Sequence, residues 1–148
     1  MIPSTTEADD EKSRARYEMI KSGQAKGLGG NQYYGYEPDL YDKVKAAFRE
    51  FGLEPNSRQI RLIKGLFENT LTFPEHRPVA FAHIDCDWHD PVKLCLERIY
   101  PVLAKGGVIV LDDYNDYGGC RSAADAFLAD HADMTLLRTK PHAVIKRR

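Results

Sequence analysis

No stretch of the 148 residues stays apolar for the roughly 18 positions that a membrane-spanning helix needs, so a soluble, unexported protein is the expectation. The opening residues, MIPSTTEADDEKSRARYEMIKSG, are too polar for the core of a signal peptide. Excess positive charge is missing as well. Lys and Arg total 21 against 22 for Asp and Glu, which leaves no broad surplus to neutralise a phosphate backbone, and nucleic acid is not expected as a partner. Cysteine is scarce and odd in number: Cys86, Cys95 and Cys120 form no C-x-x-C pair for zinc or redox work. Reduced thiols in a cytoplasmic protein are the simple expectation. No internal repeat and no low-complexity tract breaks the chain. What is present, 43% apolar and 29% charged residues, suffices for one sizeable core and is short for two.

Residues 1–30 read as a polar helix over about 7–22, with Ser and Thr ahead of it as caps, followed by a glycine-rich connector; residues 31–148 read as one α/β domain. The cluster Gly23, Gly27, Gly29 and Gly30 lacks the G-K-[ST] ending of a phosphate loop, so a mobile connector is favoured over a ligand loop. Leu40, Val44, Phe48 and Phe51 recur at helical spacing behind Asp39, and Gly52 can close that helix. Tyr33, Tyr34 and Tyr36 either pack a loop or wall a ligand site. RQIRLIKGLFENTL (58–71) predicts a short strand up to Lys64-Gly65, then a half-helix. VAFAHID (79–85) is a nearly continuous apolar run, as in a strand covered on both faces. Asp90-Pro91 reads as cap and first-turn proline of a helix with Val92, Cys95, Leu96, Ile99 and Leu103 on one stripe, stopped by Lys105-Gly106-Gly107. VIVLDDY (108–114) predicts a second buried strand and RSAADAFLADH (121–131) a second covering helix. TLLRTK and HAVIKRR are spaced for an antiparallel hairpin. The order implies an α/β sheet, parallel in its middle.

Both buried strands end in acids: Asp85 and Asp87 on the first, Asp112 and Asp113 on the second. A right-handed crossover makes the strands parallel and brings all four acids to one carboxyl rim, where α/β sheets take their ligands. Adjacent strands lie about 4.8 Å apart, so carboxylates from both can share one cation. Uncompensated, they repel and hold protons more tightly. Oxygen-only ligands favour a hard ion, Mg²⁺ first. The alternative is that these acids cap helices and hold loop amides, as Asp90 is expected to do. His83, inside the apolar run, reads as a core histidine; His89 can face the pocket.

The segments IKGLFENTL, HIDCDWHDPVKLCLERIYPVLAKGGVIVLDDY and GGCRSAADAF resemble the macrocin O-methyltransferase family, enzymes that methylate sugar hydroxyls with S-adenosylmethionine. The resemblance covers roughly 58–131, with the D-x-D, Y-P-x-L-x-x-G-G and D-D-Y in order. It implies a class I, Rossmann-like fold, Mg²⁺ ligation by Asp85, Asp112 and Asp113, and Asp87 as general base. It also implies Phe67 and Glu68 near the adenine end of the cofactor, His89 and Tyr114 near the acceptor, and a small sugar-like diol as acceptor. The family's first strand with its glycine-rich loop, and the second strand ending in an acid for the ribose, have no counterpart in these residues. The chain thus reads as the later part of such a domain, and Trp88-His89 stands where the family often has tyrosine and an acid. An apolar strand 79–85 without its neighbour predicts self-association or pairing with a separately supplied first half. Rival readings are an inactive remnant or binding protein that keeps the rim, a haloacid-dehalogenase-type phosphatase, whose D-x-D is usually followed by Thr or Val, and a D-x-D sugar-nucleotide transferase.

Overall fold

The computed structural model describes residues 3–74 and 77–148. Its centre is a four-stranded sheet in the order β1-β2-β4-β3: β1 (Val79–Ile84), β2 (Leu103–Leu111), β3 (Met134–Arg138) and β4 (Ala143–Arg147). β1 and β2 run parallel, joined through α4 (His89–Ile99), as the crossover argument requires. β4 pairs antiparallel with β2 and forms the expected hairpin with β3. Among the described residues five α-helices accompany the sheet: α1 (Glu11–Lys21), α2 (Leu40–Glu50), α3 (Phe67–Thr70), α4 and α5 (Gly118–Asp130).

The core lies between the sheet and α4 with α5. Val92, Leu96 and Ile99 from α4 and Ala123, Ala124 and Phe127 from α5 meet Ile84, Ile109, Leu111 and Ile145 of the strands. Leu96, Ile109, Leu111 and Ile145 are fully enclosed, and each such side chain contributes about 1.5–3 kcal/mol relative to an exposed one. The apolar stripe of α4 is therefore the one expected, except that Leu103 belongs to β2. The helix stops at Ile99 and passes through a single 3₁₀ turn, Tyr100–Val102, carrying Pro101. Lys105-Gly106-Gly107 does not end the helix as predicted but forms an irregularity inside β2. The pairing steps from Val79↔Leu103 to Phe81↔Val108, and Gly106, at φ +78°, takes a left-handed conformation that suits glycine.

β1 is not covered on both faces. Ile84 is buried, but Ala80, Phe81 and His83 are exposed, Phe81 by 63%. Among the described residues β1 pairs with β2 alone, so one backbone edge is open. The strand predicted over 58–65 is absent, and its backbone explains why. Leu62 gives its N–H to Asn56 Oδ1 (3.0 Å) and its carbonyl accepts the Tyr41 hydroxyl (3.3 Å), so side chains take the bonds that a neighbouring strand would otherwise make. The half-helix after it forms as the single turn α3.

α2 begins after Asp39 and closes through Gly52 (φ +70°), whose N–H reaches Arg49 O while Leu53 N–H reaches Phe48 O. The Asp39 side chain caps no helix amide, and the apolar stripe contains no buried residue. α1 starts later than predicted because Asp10, rather than an earlier Ser or Thr, accepts Ser13 N–H. The glycine segment is a turn closed by the Lys26↔Gln32 bridge and by Gly27 N–H on Asn31 O, and the Gly30 amide also bonds within it, to Gly27 O.

Candidate metal and acceptor site

The end of β1 delivers Asp85, Cys86, Asp87 and Trp88, and the end of β2 delivers Asp112 and Asp113. Backbone pairing continues one residue past β2, with Asp112 N–H on Ile84 O at 3.1 Å, so Asp112 arrives in fixed register beside the end of β1. Asp85, Asp112 and Asp113 each place an oxygen within 4.8 Å of the others. The Asp113 carboxyl can share a proton with that of Asp87, and its buried Oδ2 has, among the described residues, no N–H or hydroxyl hydrogen-bond partner. Such an atom normally has one, and a cation accepted jointly with the other two carboxylates would supply it. Burial, then the charges of Asp87, Asp85 and Asp112, push Asp113 up to about 7. Burial also raises Asp87, as does the charge of Asp85, against a lowering from its hydrogen bond with the Asp113 carboxyl and from the nearby Arg16 guanidinium.

Asp85 and Asp87 open into a cavity of about 180 Å³ walled by Tyr33, Tyr34, Phe67 and Trp88. The tyrosines are therefore both packing and wall. Tyr33 is buried, with the Tyr34 ring 4.6 Å away and the Arg16 guanidinium 5.3 Å from its centroid. Tyr36 instead ties α1 to the loop, giving its hydroxyl proton to Ile20 O at 2.7 Å and accepting Ala25 N–H at 3.1 Å. Trp88 is 4% exposed and meets Tyr117 edge-on at 5.5 Å, which anchors the loop that holds Asp87.

Of the residues singled out in the sequence, Asp85, Asp87 and Phe67 share this cavity, and Asp112 and Asp113 join Asp85 at its rim. Glu68 lines a neighbouring open cleft with Pro91 and Lys93. His89 lines a groove with Phe127 and His131, between α4 and α5, its Nδ1 2.7 Å from Asp90 Oδ1. Asp90 thus holds a ring rather than capping α4. Tyr114 is a core residue, 7% exposed, with its hydroxyl on Asp125 Oδ1 at 2.7 Å. His83 is not a core histidine: its side chain is 47% exposed and Nε2 lies 3.3 Å from Asp112 Oδ1. Sequence reasoning missed His142, whose Nδ1 is 3.0 Å from the same oxygen. Its signal was register: Leu111↔Ala143 pairing sets His142 beside Asp112. Asp9 and Asp10 were missed too. Asp9 Oδ1 accepts the N–H of His89 at 2.8 Å, and Asp10 Oδ2 that of Gly118 at 3.0 Å.

The Macrocin-O-methyltransferase (TylF) family model matches residues 40–140, more than half of the chain and all four rim acids. The chain belongs to this family. Among curated relatives, it is 32% identical over 82 residues to the 8-demethyl-8-(2,3-dimethoxy-alpha-L-rhamnosyl)-tetracenomycin-C 4'-O-methyltransferase of Streptomyces olivaceus, covering 55% of this chain and 30% of that protein. It is 28% identical over 88 residues to the demethyldecarbamoylnovobiocin O-methyltransferase of Streptomyces niveus, covering 60% of this chain and 33% of that one. The match thus spans about a third of each relative's length. The solved O-methyltransferase NovP superposes with a TM-score of 0.69 at 23% identity, over 99% of this chain and 55% of that chain. Apo CalS11, a TDP-rhamnose 3'-O-methyltransferase, superposes with a TM-score of 0.53 at 26% identity, over 76% and 54%. The fold is that of the Rossmann-like methyltransferases, with its parallel pair and antiparallel C-terminal strands in place.

Proposed function

We propose that this chain carries the metal and acceptor side of an S-adenosylmethionine-dependent O-methyltransferase acting on a hydroxyl of a sugar-like diol, with Mg²⁺ held by Asp85, Asp112 and Asp113. The observation that carries the reading is the convergence of these three carboxylates, each with an oxygen within 4.8 Å of the others. An all-oxygen donor set suits a hard divalent ion. When bound, the ion supplies charge that acidifies adjacent hydroxyls, and S-adenosylmethionine supplies the methyl group. Asp87 then takes the hydroxyl proton on a carboxylate oxygen. Its partial burial raises its proton affinity, which suits a base for a weakly acidic hydroxyl. Tyr33, Tyr34 and Trp88 exclude water from that transfer and offer aromatic faces to a sugar ring. Phe67, at the same cavity, and Glu68, in the next cleft, are proposed contacts of the cofactor. His89 and Tyr114 would have to turn out of their present surroundings to reach an acceptor.

A sugar acceptor is supported by the name of one relative, which acts on a rhamnosyl tetracenomycin; the other is named for demethyldecarbamoylnovobiocin. The proposal includes a cytoplasmic setting, supported by three free cysteines, and self-association along the open edge of β1. No helix among the described residues is long and apolar enough to cross a membrane.

Calorimetry with Mg²⁺ and S-adenosylhomocysteine tests the reading on wild type and Asp85→Asn. Both ligands should bind the wild type, with Mg²⁺ affinity falling at least tenfold in the variant. Mg²⁺ binding unaffected by Asp85→Asn overturns the metal assignment. Mg²⁺ binding without any S-adenosylhomocysteine binding leaves a rim-bearing binding protein in place of the enzyme.

A further inference from the structure

The two loops that carry the acids end in α4 and α5, and both helices are fastened by one dipeptide far away in sequence. Asp9 is 4% exposed; its Oδ1 accepts the N–H of His89, the first residue of α4, and its Oδ2 accepts Thr6 N–H at 2.8 Å. Asp10 accepts Ser13 N–H on Oδ1, capping α1, and Gly118 N–H, from the first residue of α5, on Oδ2. Gly119 makes the approach achievable: a Cβ there would collide with Asp9 Oδ1 and lie 2.8 Å from His89 N. Helix N-termini carry partial positive charge, so two of them side by side repel, and their first amides need acceptors. Asp9 and Asp10 answer both requirements at once.

We propose that Asp9 and Asp10 form a positioning clamp for the acid cluster, fixing the N-termini of α4 and α5 against each other and thereby the spacing at which Asp85, Asp112 and Asp113 meet. Segment 85–88 is held between Ile84, in register with β2, and His89, held by Asp9; segment 112–117 is held between Leu111 and Gly118, held by Asp10. With the far ends released, the carboxylates are held by the strand ends and by the local contacts of Trp88 with Tyr117 and of Tyr114 with Asp125, which leave the two helix starts free to shift. Removing a group hydrogen-bonded directly to a metal ligand typically weakens binding ten- to a hundredfold, and a clamp that acts through the loop ends is expected at the lower end of that range. The inference rests on the metal reading above.

The test titrates Mn²⁺, a hard ion visible by electron paramagnetic resonance, into the full chain at a temperature where circular dichroism shows every variant folded. Wild type should bind and Asp85→Asn should not. Asp9→Ala and Gly119→Ala, which removes no charge but displaces Asp9, should each weaken binding at least tenfold and broaden the bound-Mn²⁺ spectrum. Asp9→Asn keeps an acceptor for His89 and should recover part of the affinity. Wild-type affinity in both Asp9→Ala and Gly119→Ala overturns the clamp and leaves the metal reading standing. If Asp9→Ala fails to fold, Gly119→Ala and Asp9→Asn decide alone. Failure of wild type to bind millimolar Mn²⁺ overturns the metal reading itself, and the clamp with it.

Discussion

Replacing Asp113 by Asn should make the ion-free protein more stable at pH 8 than the wild type, the reverse of what most substitutions at buried polar sites do. Asp113 stands near 7 in the folded protein against 3.8 for an ordinary aspartate. Between those values the unfolded chain has given up a proton that the native one retains, so wild-type stability falls as pH rises from about 4 to about 7 and then levels off. A gap of roughly three pH units corresponds to at most about 4 kcal/mol at 1.36 kcal/mol per unit, and solvent screening at a half-buried site reduces this to about 2 kcal/mol. Asparagine carries no such penalty. Urea melts of both proteins with a chelator present should coincide within error near pH 4 and separate by about 2 kcal/mol at pH 8. Saturating Mg²⁺ should then stabilise the wild type and close the gap, leaving Asp113→Asn unmoved. If the two proteins show the same difference at pH 4 and pH 8, the charge-crowding account of this cluster is refuted.

Asp87→Asn should leave Mg²⁺ affinity within about threefold of wild type while lowering methyl transfer by at least about a hundredfold, the scale of a lost general base; concurrent loss of metal binding and turnover would argue against separate roles for Asp85 and Asp87. Phe81→Lys on the exposed face of β1 should shift sedimentation towards the monomer, because a charge on an open edge strand opposes pairing. A wild type that is already monomeric at all concentrations would dispose of the self-association proposal.

Local periodicity made much of this fold legible. The apolar runs before Asp85 and Asp112, the stripe Val92–Ile99 and the handedness of crossovers were enough to put four acids on one rim. What could not be read was anything set by partners distant in the chain. RLIK has the composition of a strand but gains no ladder, since Asn56 and Tyr41 occupy the backbone of Leu62. VAFAHI looks buried on both faces because its residues are apolar, yet apolar composition does not state what covers them, and Phe81 is left open. Asp90 has the sequence of a cap, but Asp9, 80 residues before His89, takes the His89 amide at that helix start. His89 and Tyr114 follow the acids closely in sequence and still face elsewhere, because the helical and 3₁₀ turns after each strand swing them towards the α4/α5 groove and the core.

The irregular stretch of β2 around Gly106 lies at the far end of the strand from the acids. Beyond it, Ile109, Val110 and Leu111 are gripped on one side by β1 and on the other by β4. A residue gained or lost near Lys105 would be taken up as a larger or smaller kink there. Chain length can drift at the base of the sheet while the carboxylates at its crown stay aligned.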